Sequence, residues 1–404
     1  MEKANRIKRH LIHTIHKGIV RFWIRPIETL IEPYLYTNNL LGYKRLLVDF
    51  LTWFTNLGRV IVLDLRVQVK QLLGEEWNII YIGNGASIEA ISSIFFPLPP
   101  KVVEMKRASL WQIKTLIENS IQKKDIVICE LNKSIKFPQF SRYLFFTMPV
   151  WIKQKINNIE RPIDHILADM NQTMRRRIRQ LEKQDFSYFF SIDPNDFDRF
   201  FHTMYLPYIK SRFYGKGIVL QNYESLYQVF QRGGLLIVKQ GQDEVCGMLC
   251  DIIGNTCRAW QMGVKNGDFD LVKKGSLVAL WWSMLDWARL QKARQFDLGA
   301  TRALISDGPF NFKRQWGTKI YPDRGVYSQW TFICRELPLK MLQFLNERGI
   351  ITEVDGKNYQ LYIINPTEDA ENFDFSPLLN TAAFNGLNGI VALNEYNFNR
   401  IIPI

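Results

Sequence analysis

The stretch from residue 234 to residue 298 decides the fold. It contains GLLIVK (234–239), VCGMLCDII (245–253) and TCRAWQMG (256–263), then DLVKKGSL (270–277), an apolar run from Ser276 to Lys292, and QFDL (295–298). The first three pieces are short and apolar, which is the pattern of strands. The run from 276 to 292 has the length of a helix. The order strand, strand, strand, helix, strand predicts an α/β unit, a sheet flanked by helices. Cys246, Met248 and Cys250 share one parity and fall on one sheet face, where cysteine behaves as a small apolar residue.

Two clusters around this unit carry the chemistry. Asp270–Leu277 links a strand to the long helix, with Ser276 placed as the N-cap and Lys273, Lys274 and Gly275 just before it. Free amides at a helix start hold phosphate oxygens, and glycine lets a ligand approach the backbone. The second cluster begins at Phe296-Asp297-Leu298-Gly299-Ala300-Thr301 and continues through Asp307-Gly308, Phe312-Lys313 and Trp316-Gly317. No histidine follows His202, so a Ser-His or Cys-His nucleophile cannot be built from residues 203–404. No GxxxxGK[ST] phosphate loop is present either. Binding and orientation are left to do the catalytic work.

Taken in order, these pieces resemble the GNAT superfamily of acyltransferases, and within it the Fem-type branch. The resemblance rests on an arginine-rich helix (Arg176, Arg177, Ile178, Arg179), the strand ending Trp260-Gln261-Met262-Gly263, Asp297-Leu298-Gly299, and Asp307, Gly308, Phe312, Lys313, Trp316 and Gly317. It covers residues 165–325, and Fem-type members often carry two such domains in tandem. Aligned on Gly275, the acyl-coenzyme A signature of the family has Val272 at its first position and Leu277 at its last. The resemblance implies a mixed, twisted GNAT-like sheet with flanking helices, as a tandem of a degenerate and a complete copy. It also implies acyl-coenzyme A (acetyl-coenzyme A) as co-substrate, no metal, and direct attack of an amine on the activated carbonyl. The acceptor is then a small-molecule or lipid-linked amine, such as an amino sugar or cell-envelope precursor. Backbone amides at a splayed strand would polarise the carbonyl oxygen. Asp297 and Asp307 are the carboxylates implied as proton acceptors. Lys273, Lys274, Gly275 and Ser276 would bind the cofactor. Trp260, Gln261, Thr301, Phe312, Lys313, Trp316, Arg175 and Arg179 would line the substrate.

Around this core, four regions are expected: a helical, basic extension at 1–75, a reduced α/β region at 76–160, the transferase domain at 161–335, and a C-terminal extension at 336–404. Within the second, Gly83-Asn84-Gly85 lacks the third glycine of a dinucleotide fingerprint, since Ile88 stands there, and makes a plain strand-to-helix turn. A helix is expected over 163–184, and a hairpin across Asp355-Gly356. Residues 1–25 hold seven Lys/Arg and one acid around an apolar stripe. That stripe either docks on a neighbouring domain or lies on a membrane surface. Arg175, Arg179 and Lys183, spaced four apart, form a basic stripe suited to phosphates.

Lys+Arg (52) exceed Asp+Glu (39), which favours an anionic partner. Five scattered cysteines make no disulfide framework, and no run approaches twenty uncharged apolar residues, so a cytoplasmic chain, peripheral at most to the membrane, is expected. Two rivals stand beside the acyl-coenzyme A transferase. One is a Fem-type transferase that takes its group from aminoacyl-tRNA; the other is a GNAT-shaped module without catalysis that binds a membrane surface or RNA.

Overall fold

A computed structural model describes residues 66–403, apart from 84, 86, 110–111, 123–125, 133–142, 182, 214–220, 323–327, 355–356, 365–372, 377, 380–386 and 394–399. The basic helix expected within residues 1–25 lies outside the described residues. The expected helical extension to residue 75 is corrected where it can be seen. Arg66–Leu73 is a strand, β1, with Val67 and Val69 buried on alternate positions.

The chain continues through β2 (Asn78–Gly83), α1 (Ile88–Phe95), β3 (Lys101–Ser109), α2 (Ile113–Gln122), β4 (Ile126–Asn132) and β5 (Leu144–Pro149). With a later strand, β13 (Ser328–Cys334), these form a six-stranded sheet of order β3-β1-β2-β4-β13-β5. Only β2 and β4 among its neighbours run parallel. Its faces are closed by α1, through Ile91 and Phe95, and by α2, through Ile117 and Ile121.

The second sheet starts earlier than expected. β6 (Ile152–Asn157) is followed by α3 (Ile163–Asp169), α4 (Gln172–Leu181), β7 (Phe186–Ser191) and α5 (Pro194–Phe200). A π-helical turn at Phe201–Tyr205 leads into α6 (Leu206–Phe213), then α7 (Tyr223–Arg232), β8 (Gly234–Gln240), β9 (Asp243–Ile253) and β10 (Thr256–Val264). After these come α8 (Phe269–Lys273), α9 (Ser276–Leu290), β11 (Gln295–Thr301), α10 (Gly308–Arg314) and β12 (Lys319–Pro322). The strand order is β12-β6-β11-β10-β9-β8-β7. Thus β6, from before residue 160, sits inside this sheet, while β13, from before residue 335, returns to the first one. Hydrogen bonding, not sequence adjacency, sets which sheet a strand joins.

Both faces of the second sheet are covered. On one, Cys246 of β9 donates its thiol to the Ser276 carbonyl of α9 at 3.3 Å. On the other, Gly247 faces Phe200 of α5 closely enough that a Cβ would lie 3.0 Å from the ring. This two-sided burial makes the strands apolar on both faces. Helix α9 is packed between the sheet and α4, burying Leu280, Trp281, Met284 and Leu285. The helix expected over 163–184 is two helices. Met170 adopts extended backbone between them, and Asn171 restarts the chain by accepting the Met174 amide at 2.8 Å.

The C-terminal region adds α11 (Leu339–Arg348) and a four-stranded sheet, β14 (Ile351–Val354), β15 (Lys357–Ile363), β16 (Leu387–Leu393) and β17 (Arg400–Pro403). The expected hairpin is present as antiparallel β14 and β15. Met341, Leu345, Ile351 and Ile390 share one core with the first sheet, and the Thr352 hydroxyl donates to the Thr147 carbonyl at 2.8 Å. The fold is a mixed α/β arrangement of twisted sheets flanked by helices.

Candidate functional site

The parallel strands β10 and β11 pair over only three positions, Thr256 with Gln295, Cys257 with Phe296 and Arg258 with Asp297. Beyond them each strand turns to its other neighbour with an irregular register, between Ala259 and Met262 on β10 and between Asp297 and Ala300 on β11. Extra residues in a ladder bend the strand and free backbone groups. Gly299 lies in the second irregularity at φ +81°, a left-handed conformation that suits glycine, and a Cβ there would sit 3.4 Å from the Ala259 carbonyl. The two strands therefore part at Arg258 and Asp297, with Ala259 and Gly299 at the fork.

A charged cluster lines the fork. Asp297 is 1 % exposed; its Oδ1 accepts the Gly299 amide at 2.9 Å, and its Oδ2 lies 3.5 Å from Lys153 Nζ and 3.8 Å from Lys155 Nζ. Lys313, reaching in from α10, donates to the Ala300 carbonyl at 3.0 Å and lies near Gly299. Burial pushes the Lys313 ammonium down to about 8, with Lys153 adding to the fall and Asp297 and Asp307 opposing it. Asp307 caps α10, accepting the Phe310 amide at 3.0 Å. Its burial raises the carboxyl above its ordinary range, against the Phe310 amide, Lys313 and Arg302. Thr301 is buried and donates to Gln154 Oε1 at 3.1 Å, while the Gln154 amide reaches the Phe310 carbonyl and Thr318. That residue ties β11, β6 and α10 together rather than facing a ligand.

The second part of the expected site is the start of α9. The N-cap is Gly275 at φ +103°, not Ser276, which is the first helical residue and 1 % exposed. Ser276 cannot cap because its hydroxyl lies inside the helix, where it has no hydrogen-bond partner among the described residues. No side chain caps the first turn of α9. Lys273 and Lys274 are exposed beside it, Lys273 paired with Asp270 at 2.9 Å. Helix α4 packs here as well, for Leu181 Cδ2 lies 3.5 Å from where a Gly275 Cβ would stand. The exposed Arg176, Arg177 and Arg179, with half-buried Arg175, belong to α4, while exposed Lys183, expected on the same helical face, lies in the turn after it. Phosphate chemistry fits this corner: uncapped amides, a glycine turn and neighbouring cations.

The remaining expected residues fall elsewhere. Trp316 is fully buried in the core beside half-buried Phe312, which also packs on Trp281. Trp260 is 37 % exposed and carries Arg258 and Arg232 over its ring at 4.8 and 5.3 Å. Gln261 is half-buried within the β10 irregularity. Two residues not singled out in the sequence join the cluster at the fork, Lys153 and Lys155, which balance Asp297. Alternation in Ile152-Lys153-Gln154-Lys155-Ile156 was the available signal for the lysines.

A groove of about 740 Å³ opens at the other end of α9, between Glu160, Trp282, Asp286, Arg289 and Arg294. Among the described residues no group of three or more His, Cys, Asp or Glu is placed to hold a metal ion. No helix among them is long and apolar enough to cross a membrane.

No family model matches the chain, and no curated protein does. Solved structures are similar to it at low identity. FemX matches at 12% identity and a TM-score of 0.36, over 69% of this chain and 85% of that one. L-PGS from Bacillus licheniformis matches at 11% and 0.34, over 69% and 84%. A GCN5-related N-acetyltransferase from Sphaerobacter thermophilus matches at 9% and 0.31, over 65% and 75%. At this degree of likeness, chemistry is read from the chain's own geometry.

Proposed function

We propose that the chain transfers an acyl group from acyl-coenzyme A to an amine, by direct attack while both are bound. The observation that carries this reading is the fork between β10 and β11, with Gly299 and Lys313 at its mouth. The uncapped start of α9, with Gly275, Lys273 and Lys274, is the place for the donor's phosphates. In the transfer, the amine nitrogen bonds to the carbonyl carbon, the carbon–sulfur bond breaks, and the proton that the nitrogen loses passes by way of Asp307 to the departing thiolate. Lys313, while protonated, stabilises the developing oxyanion in a site where burial strengthens its charge. Asp307 accepts the amine proton, because its raised carboxyl is a stronger base than an exposed one. Asp297, enclosed by lysines, positions the Gly299 amide and does not itself meet the amine. A small-molecule or cell-envelope-precursor amine is the acceptor class.

A second reading, aminoacyl-tRNA as donor, is favoured by one observation: the cationic α4 packs beside the same helix start. Mass spectrometry of the full chain incubated with acetyl-coenzyme A and a panel of amines tests the first reading. N-acetylated product that is lost in Lys313→Met supports it. Product formed only from charged tRNA transfers the assignment to the second reading, and product from neither donor rejects both.

A further inference from the structure

A second cluster of charge lies where the two large sheets meet, beside the fork but apart from it. Arg302 directly follows the last residue of β11. Its guanidinium stands 3.9 Å over the Trp151 ring and 5.4 Å from the Trp330 ring. Among the described residues no hydrogen bond or ion pair ends on that guanidinium. Stacking on two indoles holds it in place while leaving its fork of donors free.

The carboxylates facing Arg302 come from two different elements. Trp330 pairs directly across from Glu130 of β4, which puts both on one face of the first sheet. Glu130 is 8 % exposed and accepts from the Tyr81 hydroxyl and, at 2.7 Å, from the Ser87 hydroxyl. Asp307 is the other carboxylate, and both anions act on Arg302. Burial lowers Arg302 to about 10, so it remains a cation at neutral pH. One cation thus faces two carboxylates in partly desolvated surroundings.

That charge pattern selects a ligand. A lone carboxylate or phosphate would pair with Arg302 but be repelled by Glu130 and Asp307. A lone amine would have the opposite difficulty. A group carrying both charges a few atoms apart satisfies the whole cluster. We infer that Arg302, cradled by Trp151 and Trp330 and opposed by Glu130 and Asp307, forms a subsite for a zwitterionic amino-acid group, a carboxylate next to a free amine. Under the transfer reading, on which this part of the inference rests, that amine beside Asp307 is the acylated nitrogen.

The test is calorimetry on the full chain without any acyl donor. The probes are the twenty L-amino acids, then the decarboxylated amine and the N-acetyl derivative of each one that binds. The inference expects saturable binding of at least one amino acid, weakened at least about tenfold by loss of either charge. Arg302→Gln should weaken it by a similar factor; Arg302→Lys, which keeps the charge but loses the paired donors, by less. Thermal unfolding of both variants within about 2 °C of wild type, as expected for a half-buried side chain that ends in no hydrogen bond among the described residues, shows that the fold is intact. No binding by any of the twenty, undiminished binding in a folded Arg302→Gln, or equal binding of the decarboxylated amine overturns the inference. Amino-acid binding with no transfer from any donor would remove the transfer reading alone. Transfer to simple amines with no amino-acid binding would remove this inference alone.

Discussion

Asp297 of β11 and Lys155 of β6 face each other directly across an antiparallel pair, with Oδ2 and Nζ 3.8 Å apart and both residues almost wholly buried. The pair fixes the strand on which Gly299 and Ala300 form the mouth of the fork, and Lys153 adds a second cation from the same strand face. Charges taken out of water this way hold geometry only while each is balanced.

Asp297→Asn removes the shared anion and leaves two lysines buried without it. Unfolding by urea should show a loss of about 3 kcal/mol, the cost of breaking a buried pair by removing one partner. Asp297→Asn combined with Lys155→Met should recover part of that loss. Equal stability of wild type and Asp297→Asn would show that the cluster is solvated and contributes no constraint.

Gly299 adopts φ +81° with the Ala259 carbonyl close by. Gly299→Ala should cost about 1 kcal/mol or more of stability from strain alone. Transfer activity should fall further than stability does, because the new methyl group points at the fork. A variant with full kcat/KM would place the reaction elsewhere.

Lys313 titrates at about 8 in the folded chain, well below its ordinary 10.5. Between these values the unfolded chain binds the proton and the folded one does not, so this group's contribution to stability rises with pH across the window. Full above 10.5, the contribution is lost as pH falls through about 8. Urea unfolding at pH 7.5 and 9.5 should therefore show a smaller rise in Lys313→Met than in wild type, by about 2 kcal/mol. Activity should respond with the opposite sign. If the protonated amine stabilises the oxyanion, kcat/KM declines above pH 8, and Lys313→Arg, weaker but always charged, shows no such decline.

The strands of 234–263 and the helix from 276 were readable because their length and apolar content leave one option, burial on both sides. β1 was not, since Arg66-Val67-Gln68-Val69-Lys70 is a short alternating run that two valines alone betray. The break at Met170-Asn171 hid inside an unbroken helical period, where only the asparagine cap marks the restart. Site residues split along a similar line. Asp297, Asp307 and Lys313 are legible as candidates because they surround a glycine-containing turn on one continuous segment. Lys153 and Lys155 show in the sequence only as alternating positions of β6; their pairing with Asp297 depends on sheet register, and the seat of Arg302 depends on indoles from distant strands. Trp316 is buried in the structure, and in the sequence an aromatic residue beside glycine resembles a binding wall as much as a core plug.

The central claim is that the uncapped, glycine-led start of α9 holds the phosphates of an acyl donor beside the fork. Calorimetric titration of acetyl-coenzyme A into the full chain and into Lys274→Glu tests it most directly. The account predicts saturable binding to the wild type, weakened about tenfold at low salt by the charge reversal and less at high salt. Absence of binding, or affinity unchanged in Lys274→Glu, would contradict it.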